Sequence, residues 1–418
     1  MFGTGAAGVL RPRIAGETTG SDGGVESLRS SSVWSVPSSI RSPRDDNHNT
    51  VKHVRQPSTE GNLKVSFKVE CPEEVMCCTY NENGTLLAVG LVEGTIQVYA
   101  AESGTALYSL IDDEISQVYL PCTSLNFKPH TDEDKSINLL LATYASGMVK
   151  LWHVSSGQCL HTIHEPRQTL TASFQRGGEL FVTAGSDEKI FAYDTATKKR
   201  LRECQPSMSR HVMDGHRCRV FSVKFHPAQS NEFISGGWDD TIQFWDVREE
   251  HAIRKIFGPH ICGDSLDIDQ YHNHIVTGSW RKDNNLQIWD YDSGHNIKTV
   301  LPDITNSLLY CAQWLGRDRI AVGGCDANMV RVLDRGTLQT TGRLVDLPRG
   351  VYCLDNNKAS TVPKFVIGTC KSLFFFWKWR RRKHRSLLDL YHKSNMEFFN
   401  ISFITPLDIF LPSFLEKA

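Results

Sequence analysis

The chain has 418 residues, with 46 Lys and Arg set against 47 Asp and Glu, for a formal net charge of −1. That balance excludes a global electrostatic attraction to nucleic acid or to an anionic membrane. Its 12 cysteines are scattered with no Cys-x-x-Cys pair, so they read as reduced thiols packed as small hydrophobes, not as a disulfide or zinc framework.

Residues 1–61 are rich in Ser, Gly, Thr and Arg and show little periodicity; they are expected to form a disordered tail. The first ten residues are too weakly apolar for a secretory signal and lack a leading positive region. Ser42-Pro43 after Arg41, and Arg29 to Ser32, are possible phosphate acceptors of a kind common in such tails. Asn62–Glu70 then alternates cleanly: Leu63, Val65, Phe67 and Val69 share one face, and Lys64, Ser66, Lys68 and Glu70 the other. This is the pattern of a half-buried strand.

From there one phrase recurs seven times. It is an apolar run, a small-residue turn, a second apolar run and a closing residue. The closing positions are Tyr99, Trp152, Tyr193, Trp245, Trp289, Leu333 and Trp377, and the last four are evenly spaced by 44 residues. The longer early intervals carry polar insertions at His130–Ser136 and Gln205–His211, which read as loops. Within a phrase the period is two: Val220, Ser222 and Lys224 alternate with Phe221, Val223 and Phe225 before the turn at His226-Pro227. No part of residues 71–378 shows sustained helical periodicity, so an all-β chain of many short strands is expected.

A repeat of about 40–45 residues with four strands per unit is the signature of a propeller. Residues 62–378 resemble a WD40-repeat β-propeller with seven blades. The strongest copy is the fourth, with Gly215-His216 in its leading loop, Ser235 on the second strand, Asp239 in the tight turn and Trp245-Asp246 closing the third. The resemblance implies a structural hydrogen-bond network of His216, Ser235, Asp239 and Trp245. Blade five keeps Thr277, Asp283 and Trp289, with His260 as its only available histidine. Blade three keeps Thr183 and Asp187 but ends in Tyr193. A ring must close or leave a bare sheet edge; residues 62–70 are expected to add the missing outer strand of blade seven.

The basic run Trp377–Arg385 reads as a solvated charge run, with a nuclear-localisation patch as the alternative. Residues 379–418 continue past the repeat as an irregular extension. Its hydrophobic stretch Met396–Leu411 is broken by Glu397, Pro406 and Asp408 and makes a poor membrane span. It reads as a docking segment or as an aberrant end of the coding sequence.

Signals of chemistry are weak. Gly263-Asp-Ser-Leu266 matches the nucleophile block of GDSL-type esterases, and Asp389-x-x-His392 matches the partner spacing. Yet Gly263–Leu266 falls where the other repeats place a first strand, with no strand-to-helix turn around it, so the match reads as coincidence. His272-Asn-His274 falls in a polar turn, and no third metal ligand is placed near it or near His161 and His164. No catalytic residue, metal or cofactor is expected.

Aligning the repeats on Val220 puts two positions per blade at one opening of the ring, the top. The inner positions are Glu74, Pro121, Gln168, Arg219, Cys262, Leu308 and Gly350. The outer ones are Met76, Thr123, Leu170, Phe221, Asp264, Tyr310 and Tyr352. Trp238 and Trp280 join them from the second-to-third-strand turns. Arg219, Phe221, Trp238, Trp280, Tyr310 and Tyr352 are therefore the expected partner-binding residues, being of the types that dominate binding hot spots.

The expected function is a non-enzymatic scaffold that binds a protein or peptide on the top face, cytoplasmic or nuclear. Two alternatives remain. Trp245-Asp-Val-Arg248 resembles the end of the box in substrate receptors of cullin-type ubiquitin ligases, which would make Arg248 a contact to the ligase adaptor. A histone or nucleic-acid-associated reader is the other, disfavoured by the neutral charge.

Overall fold

The computed structural model describes residues 56–130, 138–209, 211–358 and 363–379. The tail through residue 55 and the extension beyond Trp379, with the expectations placed on them, lie outside these residues.

The described chain is almost wholly β. Seven antiparallel sheets follow one another, each ordered from an innermost first strand outward. The first strands are Val75–Tyr80, Cys122–Phe127, Thr169–Phe174, Val220–Phe225, Leu266–Ile268, Ser307–Leu315 and Cys353–Asn356. Each packs on the next, and that of the seventh sheet packs on that of the first, which closes the circle. Blade four shows the plan in full: Val220–Phe225, Glu232–Gly237, Thr241–Asp246 and Arg254–Phe257. Ile234 pairs with Phe244, and both are buried on faces turned to neighbouring sheets. The cores lie between blades: Val182, Ile190 and Ala192 of blade three bury against Val220, Phe233 and Trp245 of blade four.

Two short helical pieces interrupt the strands. Asp113–Val118 is a six-residue α-helix in the loop leading to blade two, capped by Asp112, whose carboxylate accepts from the Ile115 N–H at 2.9 Å. It is too short to have shown a period in the sequence. Val154–Ser156 forms a single 3₁₀ turn.

The closing segment differs from the single strand expected over residues 62–70. Phe67–Glu70 does complete blade seven, with Phe67 opposite Phe375 and Glu70 opposite Ser372. Leu63–Lys64 instead pairs with Lys378–Trp379. Ser58–Gly61, which the sequence reading assigned to the tail, adds a fifth strand to blade six, from Ser58 opposite Val345 to Gly61 opposite Gly342. The chain thus forms a strap across two blades. Gly61 turns it with φ +68°, and a Cβ there would stand 2.4 Å from the Thr341 carbonyl oxygen, so only glycine fits the bend. The alternation survives but serves two cores. Leu63 is fully buried with Val332, Leu344 and Phe365 between blades six and seven. Phe67 and Val69 pack on the cluster between blades seven and one.

An ionic knot anchors the strap. Arg343 of blade six binds Glu60 at 3.0 Å on one side and Asp303 on the other. Asp303 also accepts from Thr340 and from the Ile304 N–H. The Arg343 hydrogen bonds hold its carboxyl down at about 2, against the opposing push of burial.

Leu63→Ala should lower unfolding stability by about 2–5 kcal/mol in urea melts, the loss typical of a fully buried leucine. Asp303 should make stability pH-dependent. Its folded pKa is depressed, so its contribution is complete above about pH 4 and disappears as pH falls toward about 2. Asp303→Asn should flatten that acid limb by about 1–2 kcal/mol, read from melts across the same range.

Candidate functional site

At the top of blade four the chain makes one irregular step. Val220 pairs with Gly237 and Ser222 with Gly236, so Phe221 is the extra residue of a β-bulge. The same shift recurs between Val75 and Cys77, Cys122 and Ser124, Thr169 and Thr171, and Leu309 and Cys311. Met76, Thr123, Leu170, Phe221 and Tyr310, all outer positions of the repeat alignment, are thus released from the ladder, and a bulge re-aims such a side chain. Glycine on the second strand makes room for the step: a Cβ on Gly185, Gly237 or Gly324 would lie 2.0–2.3 Å from the carbonyl oxygen of Gln168, Arg219 or Leu308.

The six expected rim residues gather along one arc over blades four to seven. The Arg219 guanidinium lies 4.7 Å from the centre of the Trp238 ring. Phe221 stands 5.2 Å from the same ring, and His260 stacks beside it at 6.3 Å. Trp280 donates its backbone N–H to the His260 carbonyl and continues the arc to Tyr310 at 6.4 Å and Tyr352 at 5.5 Å beyond. The rings spend part of their surface on one another. Phe221 also packs on the buried cluster of Ile242, Phe244 and Ile261, while Trp238 stays 40% exposed. Burial pushes the Tyr310 and Tyr352 hydroxyls and the nearby Cys262 thiol up, so all three stay protonated at neutral pH.

Below the rim, blade four carries a fully buried polar chain. Trp245 Nε1 donates to Ser235 Oγ at 2.8 Å, Ser235 meets His216 Nε2 at 2.6 Å, and His216 Nδ1 meets Asp239 at 2.9 Å. Burial raises the Asp239 carboxyl, but His216, the Arg217 N–H and Thr241 together outweigh it and hold the pKa below the ordinary carboxylate value. The network also fixes the turn that carries Trp238, the residue before Asp239.

Other blades differ from what the repeat alone implied. In blade five, Trp289 donates to Thr277 at 3.0 Å, but His260 turns away to Asp240 of blade four at 2.7 Å. It serves the rim and not a blade-five network. In blade three, charge replaces the histidine: Glu165 accepts from Tyr193 at 2.8 Å, Thr169 at 2.8 Å and Arg167 at 2.8 Å, and Arg167 reaches on to Asp187 at 2.6 Å. Both side chains of the Glu165–Arg167 pair are almost completely buried. In blade two, Lys150 is buried and held by Asp112, Glu114 and Thr162. None of these charged clusters stood out in the sequence, because each joins residues from separate strands and loops.

Arg248 lies at the opposite end of blade four. It is 69% exposed, yet its Nε and Nη2 bind Asp246 two residues earlier at 2.8 and 2.6 Å. Ser265 of the esterase-like motif is fully buried and gives its hydroxyl to the Gly278 carbonyl at 2.6 Å; Asp389 and His392 lie outside the described residues. His272 binds Asp269, and His274 faces Arg335. Among the described residues no three His, Cys, Asp or Glu side chains converge as metal ligands, and no helix is long and apolar enough to cross a membrane. All twelve cysteines are free thiols, with Cys77 and Cys122 only 3.8 Å apart across blades one and two.

Seven closed blades, bulged first strands and the polar chain of blade four together define a WD40-repeat β-propeller. The WD domain, G-beta repeat, matches residues 207–246, which are the leading loop and first three strands of blade four. Protein tipD of Dictyostelium discoideum is 28% identical over 237 residues, 54% of this chain and 35% of that protein. Autophagy-related protein 16 of Arabidopsis thaliana is 23% identical over 198 residues, 47% of this chain and 36% of its own length. Ribosome biogenesis protein ytm1 of Schizosaccharomyces pombe is 23% identical over 279 residues, 58% of this chain and 62% of that protein. The chain therefore spans between about a third and under two thirds of these relatives.

Breaking the two polar networks should give unequal losses. Asp239→Ala should lower stability by about 1–3 kcal/mol by orphaning buried donors. Glu165→Ala should lower it by about 3–5 kcal/mol, since it strands the buried Arg167 charge. Chemical melts of both variants measure the difference; equal small shifts would mean neither network is coupled to folding.

Proposed function

We propose that this protein is an interaction scaffold whose partner docks on the top face over blades four to seven. WD40 propellers as a class are protein-binding scaffolds, and the reading here adds the place. The observation that carries it is Trp238. A tryptophan 40% exposed on a rigid rim, backed by Phe221, Arg219 and His260, supplies large contact area that loses little freedom on binding. Two of the three relatives named above are an autophagy-related protein and a ribosome biogenesis protein, so the resemblance supports a scaffold and not one pathway.

The ubiquitin-ligase reading has less behind it. Arg248 is exposed, but two of its five N–H donors are already engaged by Asp246, so the fork that would face an adaptor is partly occupied.

Trp238→Asp should abolish affinity capture of the main partner, a loss of at least about 2 kcal/mol of binding, while thermal unfolding stays near that of the unaltered protein. Capture followed by mass spectrometry, run beside Arg248→Ala, checks it. Retention of the whole partner set by Trp238→Asp would place the docking surface elsewhere.

A further inference from the structure

Arg219 ends the loop that leads into blade four and stands at the inner edge of the rim. Its side chain is half-buried, with the guanidinium on the Trp238 face at 4.7 Å and close to the Cys262 thiol. Among the described residues no carboxylate, carbonyl or hydroxyl accepts from its guanidinium. Other half-buried arginines of the ring are treated differently. Arg217 faces Asp214, Arg331 and Arg343 face Asp303, and Arg335 faces Asp269. A guanidinium carries five N–H donors, and donors drawn partly out of water need acceptors.

Two acids of the blade-four and blade-five rim are already used. Asp240 binds His260 and Arg281. Asp264 binds Ser222 and Lys224, and burial, which would lower the lysine, is outweighed by the Asp264, Asp267 and Asp355 carboxylates together. Arg219 is thus a cation that the fold holds in place, by stacking on an indole, but does not satisfy. Stacking fixes the plane of the fork before any ligand arrives, so less freedom is lost when it binds.

Resting on the docking face proposed above, we infer that the segment seated there is an extended peptide that presents an Asp or Glu carboxylate to Arg219, beside the exposed Trp238 ring. A carboxylate matches one guanidinium fork through two parallel hydrogen bonds. A phosphorylated side chain, carrying nearly two charges, calls for a cluster of arginines. Here Arg281, the arginine that blade five brings to the rim beside Trp238, is held by Asp240, and Arg349 stands apart, by Tyr352. Arg219 therefore selects the charge of the partner, and Trp238 supplies contact area without selecting charge.

The test uses the full chain and a display library of short peptides in matched sets. These have Glu, Gln or phosphoserine at a central position and randomised flanks. The unaltered protein should enrich the Glu set over the Gln set by about tenfold or more, the range of a charge-assisted hydrogen bond. Arg219→Gln should bring Glu down to the level of Gln while peptide binding persists, and Arg219→Lys should keep part of the preference. Trp238→Ala should lose all sets. Equal enrichment of Glu and Gln by the unaltered protein, an unchanged preference in Arg219→Gln, enrichment of phosphoserine above Glu, or no enrichment of any set would each overturn the inference. The two readings fail separately. If Trp238→Ala abolishes binding but Arg219→Gln changes nothing, only the carboxylate falls; if Trp238→Ala binds normally, the docking face falls as well. Thermal melts of each variant confirm that the ring is intact.

Discussion

No blade of this ring has a core of its own. Each sheet buries its faces against the sheets on either side, so every interior belongs to two blades at once. The last interior, between blades seven and one, exists only if the circle is completed. Completion falls to the strap, which lays Phe67 and Val69 over that interior and Leu63 over the one before it. Its first strand reaches further, onto blade six, where Arg343 ties Glu60 to Asp303. Backbone pairing, apolar burial and one ionic knot thus act within the single strap Ser58–Glu70.

Closure is also what makes the rim possible. A bulge at the start of a first strand aims its extra side chain out of the ladder, and it stays aimed because neighbouring blades hold the strand from both sides. In blade four the buried chain from Trp245 to Asp239 adds a second restraint, since it fixes the turn that carries Trp238. The aromatic arc is therefore rigid without being tightly packed. Arg219 and Trp238 hold each other in orientation, and the acids around them are committed elsewhere. A surface of fixed aromatics holding a half-buried, unmatched cation is suited to recognition.

Much of this was legible along the chain, for identifiable reasons. A strand with one buried face shows a period of two, and a repeated unit shows it seven times at steady spacing, so the blades and Phe67–Glu70 could be read directly. Ser58–Gly61 could not: its residues are polar and its place in blade six is set by backbone hydrogen bonds, which leave no side-chain pattern. The helix at Asp113–Val118 is shorter than two turns and leaves no period either. His260 occupied a plausible position for a blade-five network, yet the Asp240 carboxylate of the preceding blade reaches it first. Glu165 and Arg167 leave no signal along the chain because their acceptors and donors, Thr183, Asp187 and Tyr193, arrive from other strands and turns.

By itself the sequence determined the class of fold, the number of blades, the polar network of blade four and the set of residue positions that share the top. Those follow from periodicity, which is a local property repeated. Only the tertiary structure decided which of those positions touch, which are covered and which charges are left unmatched. Trp238 is open while Phe221 is half absorbed into a core, and Arg219 lacks the acid that its fellow arginines have. Such differences depend on what neighbouring blades bring to the same few ångströms, and distance along the chain carries no record of that.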